Sequence, residues 1–200
     1  IQIGQNLEEL SVRQAVENFS RRGKVCIPVE PVHGMGGFSV EAIIGALGGT
    51  PAPLIEAIKA GKIRGAVGIV GCNNPKIKHD HGHVTLTRRL IENDILVVDT
   101  GCVAVATGKA GFKSPAAAAM AGPGLGEICR ALGIPPVLHM GSCVDNVRIL
   151  VLASALADAL GTDISDLPLA AAAPEWYSEK AISIGVDAVA SEIYTVLGPM

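Results

Sequence analysis

Apolar residues in this chain gather into short unbroken runs, and three of the runs stop at a small residue followed by a thiol. Ala66-Val67-Gly68-Ile69-Val70 leads into Gly71 and Cys72; Ile95-Leu96-Val97-Val98 passes through Asp99-Thr100-Gly101 to Cys102; Val137-Leu138 passes through His139-Met140-Gly141-Ser142 to Cys143. Runs of this length predict strands buried on both faces, as in a parallel sheet. A fourth apolar run spans Leu167 to Ala173, and a short strand is expected over Lys24 to Val29, with Pro28 and Pro31 marking its end. Elsewhere the spacing is helical. Residues 1–22 set Leu7, Leu10, Val12, Val16 and Phe19 among early acids and late arginines, predicting an amphipathic helix stopped at Gly23. Further helices are predicted over Val40–Leu47 with Ser39 as cap, Leu54–Ala60 after Pro51 and Pro53, Thr85–Glu92, Val103–Gly111, Pro115–Ala121 and Glu127–Leu132. Val147–Leu160 is apolar nearly all round and is expected to be buried on most sides, and a last helix is expected to run from the Pro174–Lys180 segment to about Thr195.

Composition narrows the class. Of the 200 residues 49% are hydrophobic, with Ala, Val, Ile and Gly dominant, which suits strands covered on both faces by helices in one α/β domain spanning 1–200. A net charge of −3, no basic stripe and 3% aromatic residues leave nucleic acid without an electrostatic or stacking handle. The longest uncharged apolar stretch, Ile149 to Ala157, is well short of the roughly 20 residues that span a bilayer. The chain starts at Ile1 without a basic-then-apolar leader, and reads as a processed chain or an excised piece. An odd, scattered set of five cysteines argues for reduced thiols in the cytoplasm.

The carboxyl ends of parallel strands share one edge, so Cys72, Cys102 and Cys143 can converge on one volume as soft metal ligands. Their intervals are of strand-helix-strand length, not the C-x-x-C spacing of a zinc ribbon. A small residue before each thiol lets bulky inorganic sulfide approach. A catalytic thiol, or three buried cysteines without a role, are the other readings. Cys26 and Cys129 are expected in the core. His79, His81 and His83 alternate as metal ligands can, but stand among Lys76, Lys78 and Asp80 and are expected in a solvated loop. The turn His33-Gly34-Met35-Gly36-Gly37-Phe38 could cradle an anion or simply need positive φ. Lys180, one turn into the last helix, would lie near the thiol edge. Desolvation there would lower its pKa and let it donate a proton or steady an oxyanion; an exposed lysine beside Glu175 and Glu179 is the plainer alternative.

Five stretches, in this order, carry a resemblance: Val32-His33-Gly34-Met35-Gly36-Gly37-Phe38-Ser39, Val70-Gly71-Cys72-Asn73-Asn74-Pro75, Asp99-Thr100-Gly101-Cys102-Val103, His139-Met140-Gly141-Ser142-Cys143-Val144-Asp145-Asn146 and Pro174-Glu175-Trp176-Tyr177-Ser178-Glu179-Lys180-Ala181. Together they resemble the catalytic subunit of anaerobic, nickel-containing carbon monoxide dehydrogenases. The resemblance implies a Rossmann-like three-layer domain, with a mostly parallel sheet and helices on both faces. That domain supplies part of a nickel-iron-sulfur cluster, at which CO and water become CO2, two protons and two electrons. It implies that Cys72, Cys102 and Cys143 match thiolate ligands, Cys143 the one on nickel. Lys180 matches a pocket lysine that hydrogen-bonds the bound carboxylate or CO2 and helps move protons, and Ile184 an apolar residue shaping the gas pocket. For the full-length enzyme it implies a homodimer, a ferredoxin-like electron carrier, association with an acetyl-CoA synthase subunit, and further iron-sulfur clusters in an upstream part. That part also holds a histidine and the remaining cysteine ligands, so these residues are expected to be a fragment without turnover of its own. The hybrid-cluster protein, a hydroxylamine reductase of the same architecture, is an alternative, but Asn73-Asn74-Pro75 and Trp176-Tyr177-Ser178-Glu179-Lys180 favour the CO enzyme. A non-catalytic Rossmann-type module for nucleotide or flavin would need a glycine fingerprint, which Gly122-Pro123-Gly124-Leu125-Gly126 does not supply.

Overall fold

The structure, a computed structural model, describes residues 7–24, 26, 29–177 and 179–199. The chain divides into two compact units, residues 1–31 and residues 32–200. The first contains helix α1 (Leu7–Asn18), continued by a 3-10 turn over Phe19–Arg21, with an exposed Arg13–Glu9 pair one turn apart. The strand expected over 24–29 lies partly outside the described residues; Lys24, Cys26 and Val29 are described and belong to no strand. Cys26 is exposed rather than in a core.

The second unit is a five-stranded sheet of β1 (Gly65–Ile69), β2 (Ile95–Thr100), β3 (Val137–Gly141), β4 (Leu169–Ala173) and β5 (Tyr194–Leu197), in the order β3-β2-β1-β4-β5. All four pairings are parallel. The helices around it are α2 (Val40–Ala46), α3 (Ala52–Lys59), α4 (His81–Glu92), α5 (Val103–Lys109), α6 (Pro123–Leu132), α7 (Val147–Leu160) and α8 (Glu179–Ala190). Strand alternation feeds both faces: Gly68 of β1 lies against Ile149 of α7, while Asp99 of β2 points the other way and bonds Thr107 of α5. The fold is therefore the three-layer, Rossmann-like α/β arrangement. Val97, Ile69, Val137, Ile91, Leu125 and Phe112 at its centre are wholly buried. The chain steps from β1 to β2 to β3 in one direction, then crosses back to lay β4 on the free side of β1. Strand order thus reverses between β1 and β4, and at such a point the loops beyond the carboxyl ends diverge and open a crevice.

Three further expectations change. Helix α4 begins at His81, so His83 is not in a solvated loop but on the inner face of a helix, fully buried. Helix α7 meets the rest with one side only, leaving Val147 and Val151 more than half exposed. The last helix ends at Ala190, because Glu192 takes φ +58°, and the chain then forms β5 rather than continuing helical to Thr195. This outermost strand stays exposed, Tyr194 most of all.

Cys129, on α6, is in the core as expected, 1% exposed. Burial pushes its thiol up from 9.0 to about 12, against a small opposing pull from Arg130. The unfolded chain releases this proton above pH 9.0 and the folded chain holds it to about 12, so stability is expected to fall progressively across that alkaline window. Brief iodoacetamide treatment of the native chain at pH 8, read by peptide mass spectrometry, should modify Cys26 and Cys102 and spare Cys129 until denaturant is added.

Candidate metal centre at the strand ends

Each of the three thiols reaches the carboxyl edge through a turn that its neighbours dictate. Cys72 follows β1 by way of Gly71, Cys102 follows β2 by way of Gly101, and Cys143 follows β3 by way of Gly141 and Ser142. Gly101 takes φ +67°, and a Cβ on it would lie 3.2 Å from the Cβ of Cys143 and 3.4 Å from the carbonyl oxygen of Gly71. The three turns therefore adjoin one another, and position 101 needs glycine for both backbone and room. The Cys143 turn is pinned on two sides. Asp145 Oδ2 accepts from the N–H and hydroxyl of Ser142 at 2.8 and 2.9 Å. Asn146 donates to the Cys143 carbonyl at 2.8 Å and accepts from the Thr100 hydroxyl at the end of β2. Between Asp99 and Thr100 the β2–β3 register shifts, pairing His139 with Asp99 but Gly141 with Thr100; such an irregularity re-aims the turn that follows.

Lys180, in the first turn of α8, is exposed, so the burial invoked for it is not supplied by these residues. Its Nζ nevertheless stands 3.5 Å from Cys143 Sγ. Ile184 lines an apolar cavity of about 90 Å³ between the sheet and helices α7 and α8, which extends to Asn146 beside the Cys143 turn. Among the described residues no three Cys, His, Asp or Glu side chains gather tightly enough to enclose one metal ion. Three thiols on adjoining turns are soft donors, the kind that sulfide-bridged iron and nickel take.

Two buried polar clusters behind this edge escape a reading of the sequence. In one, Asp99 is wholly buried and accepts from Lys113 Nζ and His139 Nδ1 at 2.9 Å each and from the Thr107 hydroxyl at 2.5 Å. Burial pushes the Lys113 ammonium below the ordinary lysine value, and Asp99 opposes the shift. The turn at 33–38 lies over this cluster: Met35 N–H donates to the Lys113 carbonyl at 2.7 Å and Phe38 N–H to the His139 carbonyl at 3.0 Å, with Gly37 at φ +80°. In the other cluster, Glu175 is wholly buried against the start of α4, and His83 Nε2 donates to the Cys72 carbonyl at 2.8 Å. An acid inside the apolar run of a central strand is the one signal that could have flagged Asp99, because a carboxylate there must find cations or donors.

The Gly122–Gly126 segment is no phosphate cradle. A Cβ at Gly122 would lie 2.4 Å from Asp94 Oδ1 and one at Gly124 2.3 Å from the Lys62 carbonyl oxygen. Asp94 Oδ1 already accepts from Leu125 N–H at 2.8 Å, so a carboxylate of the chain itself caps the start of α6.

Comparison with known proteins bears on the family and the fold. The model of the prismane/CO dehydrogenase family matches residues 5–200. Carbon monoxide dehydrogenase 1 of Methanosarcina acetivorans is 63% identical over 94% of this chain and 30% of its own length. Carbon monoxide dehydrogenase of Rhodospirillum rubrum is 43% identical over 94% of this chain and 32% of its own length. The Ni-free crystal structure of carbon monoxide dehydrogenase from Thermococcus sp. AM4 superposes with a TM-score of 0.92 at 58% identity, over 96% of this chain and 31% of that one. This chain thus spans about a third of the length of these relatives. Matched along nearly its whole length, and with its strand-end thiols set on the same fold, the chain belongs to the prismane/CO dehydrogenase family.

Proposed function

We propose that this chain is the cluster-bearing portion of an anaerobic carbon monoxide dehydrogenase, whose complete protein converts CO and water to CO2, two protons and two electrons. The observation that carries the reading is the Lys180 ammonium 3.5 Å from the Cys143 thiol, at an edge where the turns bearing all three candidate ligands adjoin. Cys72, Cys102 and Cys143 would hold the nickel-iron-sulfur group, Cys143 on its nickel. When bound, that group supplies the site for CO and water and the two-electron redox chemistry.

The chain's own residues act around it. Lys180 donates a hydrogen bond to an oxygen of CO2 and passes protons between the reacting water and solvent, which its exposure permits. Asp145 and Asn146 hold the Cys143 turn still, so the thiolate approaches from one direction. Ile184 and the cavity it lines give a small apolar gas a dry space beside that turn. A ferredoxin-like protein would be the electron acceptor of the complete protein. A homodimer, and an acetyl-CoA synthase partner as in the related complex of acetyl-CoA synthase and carbon monoxide dehydrogenase, complete the assembly.

The test uses the complete parent protein, matured anaerobically. Cys143→Ala should remove most of the nickel by elemental analysis, retain most of the iron and abolish methyl viologen reduction by CO. Wild-type nickel content and turnover in that variant would sink the assignment. The 200-residue chain by itself is expected to give no methyl viologen reduction, having too few ligands to close the group.

A further inference from the structure

The loop that carries Cys72 and the segment that carries Lys180 are joined by one buried carboxylate. Glu175 is 0% exposed and accepts four hydrogen bonds: from the backbone N–H of Gly82 at 2.8 Å, of Asp80 at 3.2 Å and of His83 at 3.4 Å, and from Asn73 Nδ2 at 3.3 Å. Every donor lies in the stretch that leaves β1 through Cys72 and enters α4. Glu175 itself lies in the stretch that leaves β4 and enters α8, five residues ahead of Lys180. These are the two strand ends between which the strand order reverses; β1 and β4 pair as far as the Val70 N–H on the Ala172 carbonyl, and beyond it the two loops diverge.

Other contacts reinforce the joint. Asn74 Nδ2 donates to the Trp176 carbonyl at 3.2 Å, parallel to the carboxylate. A Cβ on Gly82 would lie 3.2 Å from both Glu175 Cγ and Pro174 Cβ, so the backbone at 82 approaches as closely as glycine allows. His83, whose N–H is on Glu175, sends its Nε2 proton to the Cys72 carbonyl. Asp80, whose N–H is also on Glu175, holds φ +63°, a conformation that persists only where its surroundings over-determine it.

Resting on the function proposed above, we infer that Glu175 is a positioning residue for CO oxidation: its carboxylate fixes the Lys180 segment to the Cys72 loop and so sets the Lys180 ammonium over Cys143. The role requires an acceptor at both oxygens. Glutamine keeps the shape but turns one oxygen into an NH2 group, which must then face the N–H of Gly82 and His83 or the donors of Asp80 and Asn73.

Glu175→Gln in the complete, matured parent protein tests this. Nickel and iron contents are expected to stay at wild-type values while kcat falls about 10²-fold, the scale of a misplacement near 1 Å. The crystal structure of the variant should show Lys180 Nζ drawn away from Cys143 Sγ with the strands unmoved. The double variant Glu175→Gln/Lys180→Met should be no slower than Lys180→Met alone by more than about twofold, the limit of ordinary non-additivity. Fully additive losses, or Lys180 still 3.5 Å from Cys143 in the variant structure, overturn the inference. Should Glu175→Gln fail to fold, Asn73→Ala removes one donor and keeps the carboxylate, and a smaller loss of the same kind is expected; unchanged kinetics and geometry there overturn it as well. Absence of CO oxidation in the wild-type parent would instead refute the function, and the variant structure would still report on the joint.

Discussion

Replacing Lys180 with methionine in the complete parent protein is expected to lower CO oxidation by about 10² to 10⁴-fold, the range for loss of a group that transfers protons in the transition state. Methionine keeps the length of the stem, so what is lost is the ammonium. Nickel and iron contents should not change, because Lys180 stands beside the Cys143 thiol as a donor and the proposed ligands are the three thiols. Arginine should not rescue the loss. Its charge is fixed at any workable pH, and its planar fork demands more room than a single ammonium. An anaerobic methyl viologen assay with metal analysis of the same preparation decides the matter. Turnover within a few-fold of wild type would remove Lys180 from the chemistry.

Asp99→Asn should destabilise the fold by about 3–5 kcal/mol, the usual result when one member of a buried ion pair is removed. Lys113 is 7% exposed and its ammonium meets Asp99 at 2.9 Å, so the variant leaves a buried cation with neutral neighbours only. An amide oxygen at the Oδ1 position still accepts from His139 and Lys113, and the NH2 group can donate to the Thr107 hydroxyl, so what is lost is the negative charge opposite Lys113. A second substitution, Lys113→Met, should recover most of the stability, since replacing both members by uncharged groups costs far less than stranding one. Urea titrations with an unchanged slope are the measurement. The pH dependence has a defined sign. The folded Lys113 amine sheds its proton at a lower pH than the unfolded one, so between those two values the unfolded chain binds more protons and stability rises with pH. Without Asp99 the folded value drops further, and the Asp99→Asn deficit should shrink as the solution is made alkaline. A deficit that widens with pH would contradict this account.

Much of the fold can be read from local pattern because the pattern is unambiguous there. The runs ending at Cys72, Cys102 and Cys143 are short, apolar without alternation and rich in Val and Ile, which suits strands covered on both faces, and β1, β2 and β3 sit where those runs are. The sites of failure share a cause. Histidine 83 stands among lysines and an aspartate, which is the composition of a solvated loop, yet a carboxylate 92 residues away accepts its N–H and makes burial tolerable. No window of sequence contains both partners. The end of α8 lacks its usual marker, since Glu192 and not glycine adopts the left-handed turn, and Val189, Ile193, Val196 and Leu197 continue a helical spacing through what becomes a strand. For α7, uniform apolarity says how much surface could be buried but not whether these residues alone cover it; Val147 and Val151 stand uncovered. The thiol edge was legible because parallel strands confine their ends to one side. For Lys180 the residues alone left an exposed lysine as the plainer reading and only the resemblance singled it out; its segment is held by Glu175, whose donors in the loop after β1 and at the start of α4 lie 92 or more residues away.

The outer position of β5 bears on how the chain behaves in the test tube. One side of Tyr194–Leu197 pairs with β4, and among the described residues no strand pairs with the other, which is flanked by Tyr194, Val196 and Leu197, all at least 46% exposed. Such an edge is a template for a matching strand from a second molecule. Concentrated solutions of this chain should therefore thicken into oligomers along that flank, and dilute conditions, or a lysine in place of Val196, should keep it dispersed.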